Sequence, residues 1–244
     1  MRFLAILLAF AGVALTAQAQ APSGKPVLRS LRDLTPLERA KVASRLGWTS
    51  AQTNAVAARD KDAMVSSDGH ALYTCRFPAV VSKLVPGEDP AGYTNKAEFP
   101  LEQTFLLHSR PGAKKIIYLD FDGCNDGPKA RWGNPSVTGV KAYDFDGNPL
   151  TFSDSERRDI QVIWRMVAED FAVWDVDVTT EPPTDDAIRV LSSGDDTYGV
   201  IVGIGPRKDE SFISGAGGVA FVSSFKWGRR HPVLGIQYWR QICS

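Results

Sequence analysis

Apolar positions along the second half of the chain alternate between two periods. Behind Ser153-Asp154-Ser155-Glu156, the residues Ile160, Ile163, Trp164, Val167, Ala168 and Phe171 recur every three or four positions. That spacing makes one apolar stripe on a helix, and Ser153 with Glu156 forms the capping-box pattern that starts one. Glu156, Arg157, Arg158, Asp159 and Arg165 are expected largely off the stripe. Around this helix the period is that of strands. Ile116-Ile117-Tyr118-Leu119 is an uninterrupted apolar run between Gly112 and Asp122-Gly123, as in a strand buried on both faces. Trp174, Val176 and Val178 alternate with Asp175, Asp177 and Thr179, predicting a strand with one covered face that ends at Pro182-Pro183. Tyr198 to Gly205 and Gly218 to Val222 supply two more strands. The order strand, helix, strand, strand, strand predicts an α/β layer: a twisted, mixed, partly parallel sheet backed by a long amphipathic helix.

The first half reads differently. Thr35-Pro36-Leu37-Glu38 carries an N-cap, a proline at the first helical position and a capping glutamate, and Gly47 is a stop. A second start at Thr49 or Ser50 opens an Ala-rich helix to about Arg59, so the two make a helical hairpin. From Asp60 to Pro111 short apolar pieces are broken by Pro78, Pro86, Pro90 and Pro100, and no element is predicted. Between Asp122 and Leu150 lies a long polar loop. At the extreme N-terminus Arg2 precedes the apolar run Phe3 to Leu15 and then Ala17-Gln18-Ala19. This is the order of a secretory signal peptide, cleaved after Ala19 or Ala21, and the run is shorter than the roughly 20 residues a bilayer span needs. The expectation is a secreted or periplasmic protein with no membrane attachment after cleavage.

Composition narrows the function classes. The 244 residues include 28 basic and 28 acidic side chains, so no overall charge favours a polyanion. Arg229, Arg230 and Arg240 interleave with Trp227, Tyr238 and Trp239, but in a neutral exported chain no nucleic-acid partner is expected. An oxidising compartment permits disulfides among Cys75, Cys124 and Cys243, which allow three pairings and leave one thiol over. His70, His108 and His231 are the only histidines, and no two fall within a helical turn.

Two stretches have carboxylates at chemically suggestive spacing. Asp120 and Asp122 end an apolar strand in Asp-x-Asp-Gly, the pattern of haloacid-dehalogenase-like phosphatases, in which the first carboxylate attacks phosphorus beside magnesium. That chemistry needs a later lysine followed by a further acidic cluster, whereas Asp195-Asp196 precedes the available Lys208. The alternative role is capping of the turn that leaves the strand. Asp122 to Gly127 and Asp144-Phe145-Asp146-Gly147-Asn148 also offer oxygen ligands for a single calcium, without the complete EF-hand pattern.

Taken together, the ordered series is more specific. Phe105 to Ala113, Ile117 to Gly123, Phe152 to Arg157, Ile163-Trp164, Val167 to Phe171, Asp175 to Glu181 and Gly217 to Val222 resemble secreted bacterial zinc metallopeptidases of metzincin type over about residues 105 to 225. The resemblance implies the upper half of such a catalytic domain: first strand, long backing helix, two inner strands and an edge strand lining the cleft. It divides the chain into a signal peptide (1–19), a helical pro-segment or accessory region (20–111), a metzincin-like upper catalytic subdomain (112–225) and an aberrant or truncated tail (226–244). Gly217, Gly218, Val219, Ala220 and Phe221 would be the edge strand that pairs with an extended peptide or protein substrate, the glycines allowing close approach. The family then places a further strand and a helix bearing His-Glu-x-x-His, whose two imidazoles hold zinc while the glutamate activates water. Neither strand nor helix is expected in this sequence. No catalytic residue, metal ligand or cofactor is therefore assigned to this chain, with zinc expected only in a full-length family member. The expectation is a metallopeptidase-like protein inactive by itself, and the alternatives are a non-catalytic exported peptide-binding module and a haloacid-dehalogenase-like phosphatase using Asp120 and Asp122.

Overall fold

The computed structural model describes residues 28–66, 69–76, 97–123, 140–205, 216–223, 225 and 234–236. They form a mixed α/β structure with two four-stranded sheets. The first is antiparallel and contains β1 (Arg29–Ser30), β2 (Ala63–Val65), β3 (Ala71–Arg76) and β7 (Ala216–Phe221), in that order. The second is parallel, in the order β5 (Asp177–Thr179), β4 (Lys115–Asp120), β6 (Tyr198–Ile204) and β8 (Leu234–Ile236).

The predicted helices form where the capping signals put them. Helix α1 spans Pro36–Leu46 with the Thr35–Glu38 capping box closed and Gly47 in the left-handed region at φ 66°. Helix α2 spans Ser50–Arg59, capped by Thr49 through a second box with Gln52. Both lie on the first sheet around a small core of Leu31, Leu34, Val42, Ala57, Ala63, Val65 and Ala71. Strands β2 and β3 occupy a stretch for which no element is predicted. β2 is only three residues long, too short for an alternation to register against proline-rich surroundings, and its pairing with β3 supplies the missing stabilisation.

Helix α3 (Asp154–Asp170) is capped by Ser153 and Glu156 and buries Ile160, Ile163 and Trp164 against the parallel sheet. Ile117 pairs in register with Val178 and Val200, and Leu119 with Val202, so one face of three strands meets the helix. Each of these aliphatic side chains contributes about 1.5–3 kcal/mol on full burial. The Trp164 indole donates to the Val178 carbonyl at 2.9 Å, which satisfies its N–H inside this core.

Three sequence expectations are corrected. Glu156 and Asp159 are not on an outer face but 2% and 6% exposed, because loops drape over α3 and use its polar groups as anchors. The Glu156 carboxylate accepts from the Phe145 N–H, the Ser153 N–H and the Ser153 hydroxyl at 2.7, 2.8 and 3.0 Å. The strand predicted from Trp174 begins only at Asp177. Trp174 is 62% exposed, while Asp177, Val178 and Thr179 are all buried. The alternation fails there because residues 107–110 run along the outer edge of β5 and bind the Asp177 carboxylate, which buries it. Finally, β8 lies within the stretch expected to hold no further strand, in parallel register with β6 from Val202↔Leu234 to Ile204↔Ile236.

Candidate functional site

The assigned residues Gly217 to Phe221 lie in a strand, β7, that is terminal in the antiparallel sheet and paired on one side, with β3. β7 lies antiparallel to β3, with Leu72↔Phe221, Tyr73↔Ala220, Thr74↔Val219 and Cys75↔Gly218 as partners. The Val222 N–H closes the end of the ladder on the Ala71 carbonyl at 3.0 Å. Beyond Cys75 the register shifts so that Arg76 faces Ala216, leaving Gly217 as the extra residue of a bulge. A glycine suits that position because the bulged backbone bends where a side chain would resist it. β7 also comes close to β8 of the parallel sheet, with no ladder between them among the described residues.

Alternation distributes the side chains of this pair to two faces. Leu72, Thr74, Val219 and Phe221 are all buried on one, at 0%, 1%, 3% and 8% exposure. Phe221 also meets the His70 ring edge-on, with centroids 6.2 Å apart. On the other face Tyr73 and Val222 pack against the core under α1 and α2. Burial raises the Tyr73 phenol above its ordinary value, with the Asp60 carboxylate adding to the effect. What the arrangement does chemically is hold an extended six-residue segment, Ala71–Arg76, by backbone pairing with β7. Nothing in the period of the Asp60 to Pro111 stretch identifies this segment as the partner of β7. The pairing is a long-range event that neither strand encodes alone.

The other candidate positions fall elsewhere. Asp120 ends β4 and is buried, whereas Asp122 is exposed in the turn beyond it. Gly123 continues that turn at φ 94°, where an added Cβ would come 2.8 Å from the Ala142 nitrogen. Asp195 and Asp196 precede β6, and β6 runs parallel to β4 with Lys115↔Tyr198 and Asp120↔Gly203. The acidic pair is therefore at the opposite end of the sheet from Asp120, about 17 Å away at the usual rise per residue. There the Lys114 ammonium holds Asp196 at 2.5 Å and depresses its pKa. Lys208, Cys124, Cys243 and the signal segment lie outside the described residues, as do the side chain of Cys75 and His231. No helix among the described residues is long and apolar enough to cross a membrane.

Asp144 and Asp146 do converge with Glu156, their ligand atoms within 4.8 Å of one another. Such a set of oxygens suits a hard cation. Each carboxylate, however, already closes the loop: Asp144 accepts the Gly147 and Asn148 N–H groups and Asp146 accepts the Asn148 N–H, at 2.7, 3.1 and 2.9 Å. These are turn bonds of the Asx type. A cavity of about 560 Å³ opens between α1 and the first sheet, lined by Arg29, Glu38, Lys41, Arg45 and Val65 among others. The Arg29–Glu38 ion pair at 2.6 Å belongs to its wall.

The chain matches no family model, no curated protein and no solved structure.

A second polar cluster was not singled out from the sequence. His108 sits between two carboxylates, with Nδ1 2.7 Å from Asp177 Oδ2 and Nε2 2.8 Å from Glu181 Oε2. Partial burial disfavours the charged ring, but the hydrogen bonds to Glu181 and Asp177 and their attraction outweigh it, so the pKa is raised. The only legible signal is Asp177-x-x-x-Glu181, and the histidine that joins them is about seventy positions away in sequence, as fixed by the 69- and 73-residue separations of its two bonds.

Proposed function

We propose that this chain contains the upper, peptide-holding part of a metallopeptidase-like protein of metzincin type, and that β7 is the strand that engages an extended polypeptide. The single observation that carries the reading is the antiparallel pairing of β3 with β7. Backbone pairing of that kind is how an extended peptide is recognised at a strand edge, with donors and acceptors supplying affinity and alternate side chains the selectivity. Residues Ala71–Arg76 occupy the place a peptide would take.

The order of elements supports the same reading. In chain order β4, α3, β5, β6 and β7 follow the series of first strand, backing helix, two strands and a further strand, although β5 is terminal in the parallel sheet and β7 belongs to the antiparallel one. β8 follows where the resemblance calls for one more strand ahead of the zinc-binding helix. The sequence holds no His-Glu-x-x-His, so binding rather than hydrolysis is the activity proposed for these residues.

The test uses the full chain and a fluorescently labelled, unstructured casein peptide. In antiparallel ladders alternate N–H groups point to opposite neighbours. The Thr74 N–H points to β2, bonding the Asp62 carbonyl at 3.0 Å, so the Tyr73 N–H points to β7. Tyr73→Pro removes it and should raise peptide affinity at least tenfold over wild type by loosening the resident strand. Equal affinity in a folded Tyr73→Pro protein would sink the reading. So would chelator-sensitive casein cleavage by the wild-type chain in added zinc, which would require a metal centre not proposed for it.

A further inference from the structure

A neutral imidazole carries one N–H and one lone pair, so it can donate to only one partner. Both ring nitrogens of His108 face carboxylate oxygens, at 2.7 and 2.8 Å, and a carboxylate in its ionised form offers no proton in return. The geometry is satisfied only by the imidazolium. The surrounding charges are consistent with this. Asp177 comes from β5, and its side chain is 7% exposed; Glu181 follows β5 and is half-exposed. On the histidine's own segment, Arg110 turns its guanidinium away to Asp175 at 3.3 Å, while its backbone N–H donates to the second Asp177 oxygen at 3.0 Å. No cation competes with His108 for the two acceptors among these groups.

The ring stands at a mechanically defined place. Residues 107–110 form the outermost extended segment beside β5, joined by the His108↔Thr179 bridge. The Ser109 N–H donates to the Val178 carbonyl and the Thr180 N–H to the Leu107 carbonyl, at 3.0 and 3.1 Å. Upstream, the same stretch is pinned by amide and hydroxyl bonds and by two arginines, Arg157 donating to the Leu101 carbonyl at 3.1 Å and Arg165 pairing with Glu98 at 3.6 Å. Gln161 holds Phe99 and Thr104, and the Thr180 hydroxyl donates to the Thr104 carbonyl at 2.8 Å. Among the described residues of this stretch, only the end at residues 108–110 is fastened through an imidazole.

We propose that His108 is a proton-operated clasp that holds the 107–110 segment over the edge of β5 and releases that edge when the imidazolium loses its proton. The inference does not depend on the peptide-binding reading, since it concerns the β5 border of the parallel sheet, whereas β7 belongs to the antiparallel one. The direction follows from linkage. The raised pKa means that the clasp's contribution is fully present below the ordinary histidine value near 6.5 and is lost as pH rises through the folded value. Above it, one of the two bonds becomes a lone pair against a carboxylate, and the strand edge beneath is left with weaker cover.

Two nuclear magnetic resonance measurements on the full chain test this. Long-range nitrogen–proton spectra of the ring should show both His108 nitrogens protonated at pH 6, with an apparent pKa above 6.5. Amide exchange of Ser109 and Thr180, each divided by that of β4 amides to remove the intrinsic pH effect, should accelerate roughly tenfold as the ring titrates, the cost of one charge-assisted hydrogen bond. Glu181→Gln, at a half-exposed position that folding tolerates, should lower the His108 pKa and move the acceleration down by the same amount. A ring with a single N–H at pH 6, or Ser109 and Thr180 protection that does not change through the titration, would overturn the proposal.

Discussion

The buried amide of Gln161 offers the sharpest test of how the loops are fastened to the sheet. Its side chain is 2% exposed and makes four hydrogen bonds, all at 3.0 Å. The carbonyl oxygen accepts from the Glu98 and Phe99 N–H groups, and the amide nitrogen donates to the Phe99 carbonyl and the Thr104 hydroxyl. Gln161→Leu keeps the bulk and the helix propensity but deletes all four. Glu98 and Phe99 are not fully buried, so water can replace part of what their backbone loses, leaving a cost of about 0.5 kcal/mol per bond. Thr104 is 0% exposed, and its hydroxyl loses a partner with no solvent at hand, at about 1–3 kcal/mol. The sum is about 3 kcal/mol, or roughly a 6–12 °C fall in Tm for a protein of this size. Urea denaturation followed by circular dichroism gives the free energy, and amide exchange at Glu98 and Phe99 locates it. A change below about 0.5 kcal/mol, typical of ordinary surface substitutions, would refute the claim that this amide anchors the segment. A large change without faster exchange at those two amides would equally refute it, by placing the loss elsewhere.

Gly199→Ala should destabilise by about 1–3 kcal/mol, because the new Cβ would lie 2.5 Å from the Ile116 carbonyl oxygen and 2.8 Å from Ile188 Cδ1; thermal denaturation checks it. Ser153→Ala removes the cap of α3 and one of the three donors to the buried Glu156, for a loss of about 1 kcal/mol in chemical denaturation. The Arg29 guanidinium, followed by the Thr35 N–H and hydroxyl, holds the Glu38 carboxyl down at about 2. Its lowered value makes its contribution present above the ordinary value of 4.5 and lost as pH falls through about 2, which a carbon-detected titration of the carboxyl will follow. Arg29→Ala should raise the Glu38 midpoint toward 4.5, since that bond is the largest cause, with the Thr35 bonds retaining part of the depression.

Helix starts were legible because capping is local. Thr35-Pro36-Leu37-Glu38, Thr49-Ser50-Ala51-Gln52 and Ser153-Asp154-Ser155-Glu156 each place acceptor and donor within one turn, so four residues suffice to specify the bond pattern. The apolar runs of β4 and β6 were legible for a related reason: a strand buried on both faces needs hydrophobic residues whatever its neighbours are. Where burial came from a distant segment, the same reasoning failed. Asp177 reads as a solvent-facing residue until His108 and the Arg110 N–H arrive along the outer edge of β5, and Glu156 and Asp159 read as outward until the 140–153 loop folds over them.

By itself the sequence determined the α/β character, the three capped helices and the strands flanking the long helix, since each rests on contacts within a few residues or on bulk hydrophobicity. Only the tertiary structure decided that Ala71–Arg76 lies along β7, that β8 joins β6, and that His108 bridges Asp177 and Glu181. Those are pairings across 69 or more positions for the histidine and still more for β3 and β7. Backbone donors and acceptors are the same at every residue, so a strand's pattern says which face is buried but not which other strand will meet its edge.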